Sequence, residues 1–125
     1  MRPEIKAQLI AALRSGDYTQ GRGYLNKDGC HCFGGVLCDL AVKAGVARWS
    51  RVPAAKTGGG PPVFSCVPLN APDILGTCSV PDKILEWAGF DGMLAYEDGR
   101  LDFYELNDDN GLSFQQFADL LEAAP

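Results

Sequence analysis

The stretch Gly16–Leu40, GDYTQGRGYLNKDGCHCFGGVLCDL, decides how the rest of the chain is read. It brings an aromatic residue, a Gly-Arg-Gly turn, a Cys-His-Cys triplet and the start of an amphipathic helix into 25 residues. From Phe33 onward, Phe33, Val36, Leu37, Leu40, Ala41 and Ala44 recur at helical spacing, and Gly45 supplies the stop. Before the triplet, Gly23–Asn26 reads as a short strand that turns at Lys27-Asp28-Gly29. A strand and turn leading into an apolar-faced helix point to a mixed fold.

Working outward, Ile5, Leu9, Ala12 and Leu13 define a first helix, with Pro3 in its first turn and Ser15-Gly16 at its end. On the C-terminal side, Val46–Val52 reads as a strand around Trp49. The run Pro53–Pro62, PAAKTGGGPP, reads as a mobile loop, and Val63–Val67 as a further strand. Pro81 opens a short helix with Ile84, Leu85 and Ala88 inward, closed by Gly89. Met93–Tyr96 and Leu101–Leu106 flank Glu97-Asp98-Gly99-Arg100, where Asp-Gly predicts a type I′ hairpin because both central residues need positive φ. Ser113 and Gln116 form a capping box, with Leu112 and Phe117 as a hydrophobic staple, for a last helix from about Phe114 to Ala123. The expected fold is α+β: three to four helices packed on a small antiparallel sheet, in one compact domain spanning residues 1–125, with a loop at 53–62.

The chain has 125 residues, 46% of them apolar and 22% charged, values typical of one globular domain with one core. No apolar run reaches the ~20 residues of a membrane span, and the N-terminal segment mixes charges into its apolar pattern, unlike a signal peptide. These features predict a cytoplasmic protein with no membrane partner. Five cysteines in a reducing compartment then predict free thiols, not a disulfide framework. The net charge of −5 hides an asymmetry. Residues 1–56 carry nine Lys and Arg against four acids, a net +5, whereas residues 57–125 carry two against twelve, a net −10. A basic half can steer an anion, and an acidic half can dock on a basic protein. A duplex-binding protein should be basic overall, so nucleic acid duplexes are not expected partners.

Several constellations invite chemistry. The segment NDDNGLSFQQ tempts a calcium-loop reading, but Gln116 would stand where a bidentate Glu is needed. Cys30, His31 and Cys32 are too crowded for zinc spacing. Cys32 and Cys38 would lie ~9 Å apart along a helix axis, and Cys66 and Cys78 have no spacing that ties them to either. No metal or cofactor is expected. Cys32 at a helix N-terminus could be an activated thiol, which makes a cysteine-dependent enzyme one alternative. The sole histidine, His31, is adjacent in sequence and poorly placed to act as its base. No catalytic residue is therefore assigned. Gly21-Arg22-Gly23 offers accessible backbone N–H groups beside a guanidinium, with Tyr18 and Gln20 nearby to stack and hydrogen-bond. Asn107 and Asp108 complete the candidate ligand-binding set of Tyr18, Gln20, Gly21, Arg22, Gly23, Asn107 and Asp108.

The segments GDYTQGRGYL, CFGGVLCDLA and LNDDNGLSFQQFADLLE also carry a family resemblance. The chain resembles small proteins of tailed phages and actinobacterial prophages, whose pattern reads roughly L-x-S-G-x-Y-x-Q-G-x-G-x-L, then C-C-L-G-V-L-C-D-L, then L-N-D…S-F-x-x-I-A-D-x-I-E. The matches are Leu13, Ser15, Gly16, Tyr18, Gln20, Gly21, Gly23 and Leu25, then Cys32 and Gly35–Leu40, then Leu106–Asp108, Ser113, Phe114, Ala118, Asp119 and Glu122. The second Cys of the family's pair is Phe33 here, which disfavours a chemistry needing both thiols. The resemblance implies a non-enzymatic phage-type accessory protein acting in the host cell. Such a protein would bind a host factor or sequester a small nucleotide-like anion, which includes an anti-defence role. An inhibitor that docks its acidic C-terminal half on a basic host protein is the second alternative, and a homo-oligomer is compatible with each reading.

Overall fold

The computed structural model describes residues 1–73 and 76–124. In chain order the elements are α1 (Pro3–Arg14), β1 (Thr19–Gln20), β2 (Asn26–Lys27), β3 (Cys30–His31), α2 (Phe33–Lys43), β4 (Ala47–Arg51), α3 (Ala54–Thr57), β5 (Val63–Pro68), α4 (Asp82–Ala88), β6 (Met93–Tyr96), β7 (Gly99–Asp102), a π-helical turn (Glu105–Asp109) and α5 (Phe114–Ala123). The fold is α+β, as the alternation of helical and strand patterns predicted. Strands β1–β5 form one sheet in the order β1-β3-β2-β5-β4, and β6 and β7 form a separate hairpin. No helix among the described residues is long and apolar enough to cross a membrane.

Four expectations are corrected. The main sheet is mixed, because β1 pairs with β3 in parallel, Thr19 beside Cys30 and Gln20 beside His31. Two-residue strands leave no periodicity to detect, so sequence alone does not reveal such a pairing. The strand expected over Gly23–Asn26 is confined to Asn26–Lys27, and the Leu25 N–H bonds instead to the Thr77 carbonyl at 2.8 Å. The segment 53–62 holds a turn of helix, α3, entered from Pro53 and ended by Gly58 at φ 77°. It brings the α-helices to five among the described residues, where three to four were expected. Ala-Ala-Lys favours helix, but the neighbouring prolines and glycines mask it.

The fourth correction concerns the hairpins. Asp28 (φ 53°) and Gly29 (φ 78°) both take positive φ, so the tight primed turn joins β2 to β3. In the β6–β7 hairpin Tyr96 pairs with Gly99, so the loop is Glu97-Asp98, with Glu97 at φ 54°. Strand β7 ends at Asp102, four residues before the expected Leu106. The Asp102 carboxylate accepts the Tyr104 N–H at 2.7 Å, which starts a helical turn and ends the strand.

One core joins the layers. The Phe33 ring at the start of α2 stacks on Phe117 of α5 with centroids 4.4 Å apart and lies 5.3 Å from Phe103. Leu9 of α1, Leu37 of α2, Ile84 of α4 and Leu106 are among the fully buried side chains of this core. Gly34 and Gly35 make this packing possible. A Cβ on Gly35 would stand 1.8 Å from the Leu25 carbonyl oxygen, and one on Gly34 would stand 2.8 Å from both Phe103 and Val80. The capping box of α5 forms as its sequence implied: Ser113 Oγ accepts the Gln116 N–H at 3.2 Å, and the Gln116 side chain accepts the Ser113 N–H at 2.9 Å.

Candidate functional site

Six of the seven candidate residues meet in one place, and Asn107 is its centre. The π-helical turn carries Asn107 inward to 1% exposure. Its side-chain oxygen accepts from Gln20 Nε2 at 2.9 Å and from the Phe33 N–H at 3.2 Å. Its side-chain nitrogen donates to the Gly21 carbonyl at 3.1 Å and to Asp108 at 2.8 Å. The Asp108 carboxylate also accepts the Gly23 N–H at 3.0 Å, and the Arg22 guanidinium donates to the Asn107 carbonyl. Gln20 is used at both ends, donating to the Leu112 carbonyl at 2.7 Å and accepting the Phe114 N–H at 3.1 Å.

The knot therefore ties together the Gly-Arg-Gly turn, the N-terminus of α2 and the N-terminus of α5. Burying an amide such as Asn107 is tolerated because every donor and acceptor it has is paired. It also means that the Gly23 N–H and the Gln20 amide face protein groups. Arg22 remains exposed, with further guanidinium N–H groups beyond the one bonded to Asn107.

Tyr18 belongs to a neighbouring cluster. Its hydroxyl donates to Asp39 and accepts from Lys43 Nζ at 3.1 Å, while Trp49 Nε1 donates to the other Asp39 oxygen at 3.0 Å. Burial alone would raise the Asp39 carboxyl, but the Tyr18 and Trp49 hydrogen bonds and the Lys43 charge outweigh it and hold it below its ordinary value. Burial, and then the bond to Asp39, pushes the Tyr18 phenol up. The His31 ring sits edge-on to Tyr18 at 5.2 Å and to Trp49 at 5.9 Å, with its Nδ1 buried and unpartnered among the described residues. Burial pushes this imidazole down. The sequence offered no signal for this cluster beyond the composition of α2 and β4.

Cys32 occupies the position just before α2 and is 5% exposed. Burial pushes its thiol up to about 11, and the N–H groups of Gly35 and Gly34 offset this only in part. The helix N-terminus thus fails to produce a thiolate, because desolvation is the larger effect. Cys38 and Cys66 are also buried, Cys30 is half-buried, and Cys78 is exposed. Among the described residues no group of three or more His, Cys, Asp or Glu side chains is arranged to hold a metal.

Opening beside the turn is a groove that the sequence did not single out. One lobe, of about 210 Å3, is lined by Arg22, Tyr24, Lys27 and Asp28. The other, of about 370 Å3, is lined by Lys27, Lys56 and Thr57, and the lobes share Tyr24, Lys27 and Pro61. Lys27 Nζ lies 4.4 Å above the Tyr24 ring centroid. No salt bridge holds Arg22, Lys27 or Lys56 among the described residues, while the groove's acid is Asp28. The pairing of Lys27 with Val63 sets the floor, and the 53–62 segment forms the wall. The signal available beforehand was the basic balance of residues 1–56, to which all three cations belong.

These features define a small α+β domain with a concave basic face. The family model for a domain of unknown function, DUF8296, matches residues 1–125, and the chain belongs to that family. No curated protein and no solved structure matches the chain.

Proposed function

We propose that the chain is a non-enzymatic accessory protein of phage type that captures a small nucleotide-like anion in the host cytoplasm. The carrying observation is the groove beside Gly21–Gly23, where Arg22, Lys27 and Lys56 surround Tyr24 without an ion-pair partner among the described residues. Three cations against the single acid Asp28 leave the concavity net positive, which attracts anions, and an aromatic ring beside them gives a planar base a surface to stack on. Arg22 can meet a phosphate with paired N–H groups while its bond to the Asn107 carbonyl fixes its position. The knot around Asn107 is the frame that aims this edge of the groove. Asp28 at the rim disfavours a ligand that fills the whole Arg22 lobe with charge.

Binding is favoured over cysteine chemistry because burial keeps the Cys32 thiol protonated and His31 makes no hydrogen bond to it among the described residues. The acidic-docking alternative is weakened by internal pairing across the two halves. Arg14 bonds Asp119 and Glu122, and Arg48 bonds Asp73, so part of each charge excess is met within the molecule.

Calorimetry against mono- and dinucleotides at two salt concentrations tests this proposal. A phosphate-bearing ligand is expected to bind more weakly at high salt, and Lys27→Gln and Lys56→Gln are each expected to cost about tenfold in affinity, typical of one charge-assisted hydrogen bond. If no nucleotide or phosphate binds, or if both variants bind as tightly as the parent, the groove is not the site.

A further inference from the structure

A second concavity shares no lining residue with the basic groove. It has a volume of about 450 Å3 and lies where the start of α1, the turn after α4, the β6–β7 hairpin and the end of α5 converge. This size falls in the range of small-molecule sites. Its apolar wall is made by Phe90, Met93, Leu94 and Leu121. Three of these are core residues that present one side to the cleft, and Met93 is half-buried.

Two cations border this wall, and each is held in place by a bond inside the protein. Lys6 Nζ donates to the Ala124 carbonyl at 2.6 Å, tying α1 to the end of α5. One Arg100 nitrogen donates to Asp91 at 2.9 Å and to the Met93 carbonyl at 3.4 Å. The remaining Asp91 oxygen accepts the Met93 N–H at 3.0 Å, so the acid at the rim is already satisfied. The Met93 N–H, and then Arg100, hold that carboxyl below its ordinary value. Lys6 keeps two further N–H donors, and Arg100 keeps those of its other nitrogens. The rim therefore carries one positive charge more than it neutralises, around an apolar floor.

We propose that this cleft binds a small amphiphile with an apolar tail and a carboxylate head, the tail against Met93 and Leu121 and the head between Lys6 and Arg100. An uncharged apolar molecule would leave Lys6 without an anion, since only Arg100 is paired, with Asp91, and a compact polar anion would leave the apolar wall exposed to water. A carboxylate on a hydrocarbon chain satisfies both, with its charge met by donors already fixed in position.

The test is methyl-detected NMR of the full chain titrated with decanoate, with decanol as the uncharged control. Decanoate is expected to shift the Met93 and Leu121 methyl signals saturably, and decanol is expected to bind about tenfold more weakly. Lys6→Gln can keep the bond to Ala124 while removing the charge, and it is expected to weaken decanoate about five- to tenfold. Ala95 is exposed, lines the cleft and sits in a strand, where an aromatic is well tolerated. Ala95→Phe is therefore expected to keep the fold and abolish binding. The proposal is overturned if decanoate leaves these methyls unmoved, if decanol binds equally well, or if Lys6→Gln and Ala95→Phe both bind like the parent. It is also overturned if a peptide ending in an apolar residue with a free carboxylate moves them where decanoate does not, since the cleft would then serve a protein partner.

Discussion

Asn107 shows how one residue can hold several elements without touching a ligand. Its side chain makes four hydrogen bonds, to Gln20, the Phe33 N–H, the Gly21 carbonyl and Asp108, at 1% exposure. Asn107→Ala would leave the buried Phe33 N–H and the half-buried Gly21 carbonyl without this partner. Leaving one such group unpaired costs about 1–3 kcal/mol, so a loss of about 3 kcal/mol is expected in urea unfolding. A loss below 1 kcal/mol would show that water replaces the amide. Cys32 makes a different point at the same scale. A helix N-terminus suggests a reactive thiol, but at 5% exposure the cost of desolvation prevails and pushes it up to about 11. Thiol labelling at pH 7.5 followed by mass spectrometry should modify the exposed Cys78 first and leave Cys32, Cys38 and Cys66 intact in the native protein. Early labelling of Cys32 would reopen the enzyme alternative.

Among the elements, α2 depends on two residues that weaken helices elsewhere. Glycine inside a helix costs about 1 kcal/mol relative to alanine, so Gly34 and Gly35 look like candidates for stabilising replacement. The opposite is expected. A Cβ at position 35 would overlap the Leu25 carbonyl oxygen at 1.8 Å, a backbone atom that cannot rotate away. Gly35→Ala should abolish cooperative thermal unfolding, whereas alanine at the solvent-facing Gly99, with nothing within 4 Å, should leave it in place. If Gly35→Ala melts like the parent, α2 can shift as a rigid body. The helices α1, α2 and α5 were legible in the sequence because their apolar residues repeat at a fixed period, with a stop at Ser15-Gly16 or Gly45 or a start at the Ser113 cap, and β4 and β5 because they are short apolar runs between turn residues. The two-residue strands were not. The pairs Thr19–Gln20, Asn26–Lys27 and Cys30–His31 have no period, and they form a sheet only because the Asn107 knot and β5 hold them. The candidate site was legible in part for the same reason. Gln20, Gly21, Arg22, Gly23, Asn107 and Asp108 stood out as special residue types, and they do converge. Their use for one another depends on distances that the sequence does not contain. Tyr24, Lys27 and Lys56 are ordinary residues individually and become a groove only through the β2–β5 pairing.

At the scale of the whole molecule, the uneven charge resolves into three parts: cross-half ion pairs, a basic groove, and the half-buried cluster around Asp39. The cluster couples global stability to pH through the chain's single histidine. Tyr18, Trp49, Asp39 and Lys43 surround His31, and burial holds its imidazole below the ordinary 6.5 in the folded state. The unfolded chain takes up a proton as the pH falls through about 6.5, while the folded chain resists until a lower pH. The stabilisation is thus complete above the unfolded value and is lost as the pH falls through the folded one. Protonation would also convert the unpartnered Nδ1 into a buried donor with no acceptor, which adds to the cost. Carboxyls such as Asp39 and Asp91, held below their ordinary values, extend the same trend but only at more acidic pH. Between pH 7.5 and 5 the slope therefore belongs to His31. The urea midpoint should fall across this window in the parent and stay nearly level in His31→Gln. An NMR titration of the single imidazole should give a midpoint below 6.5 in the folded protein. A level parent profile, or a fall that persists in His31→Gln, would place the proton uptake elsewhere.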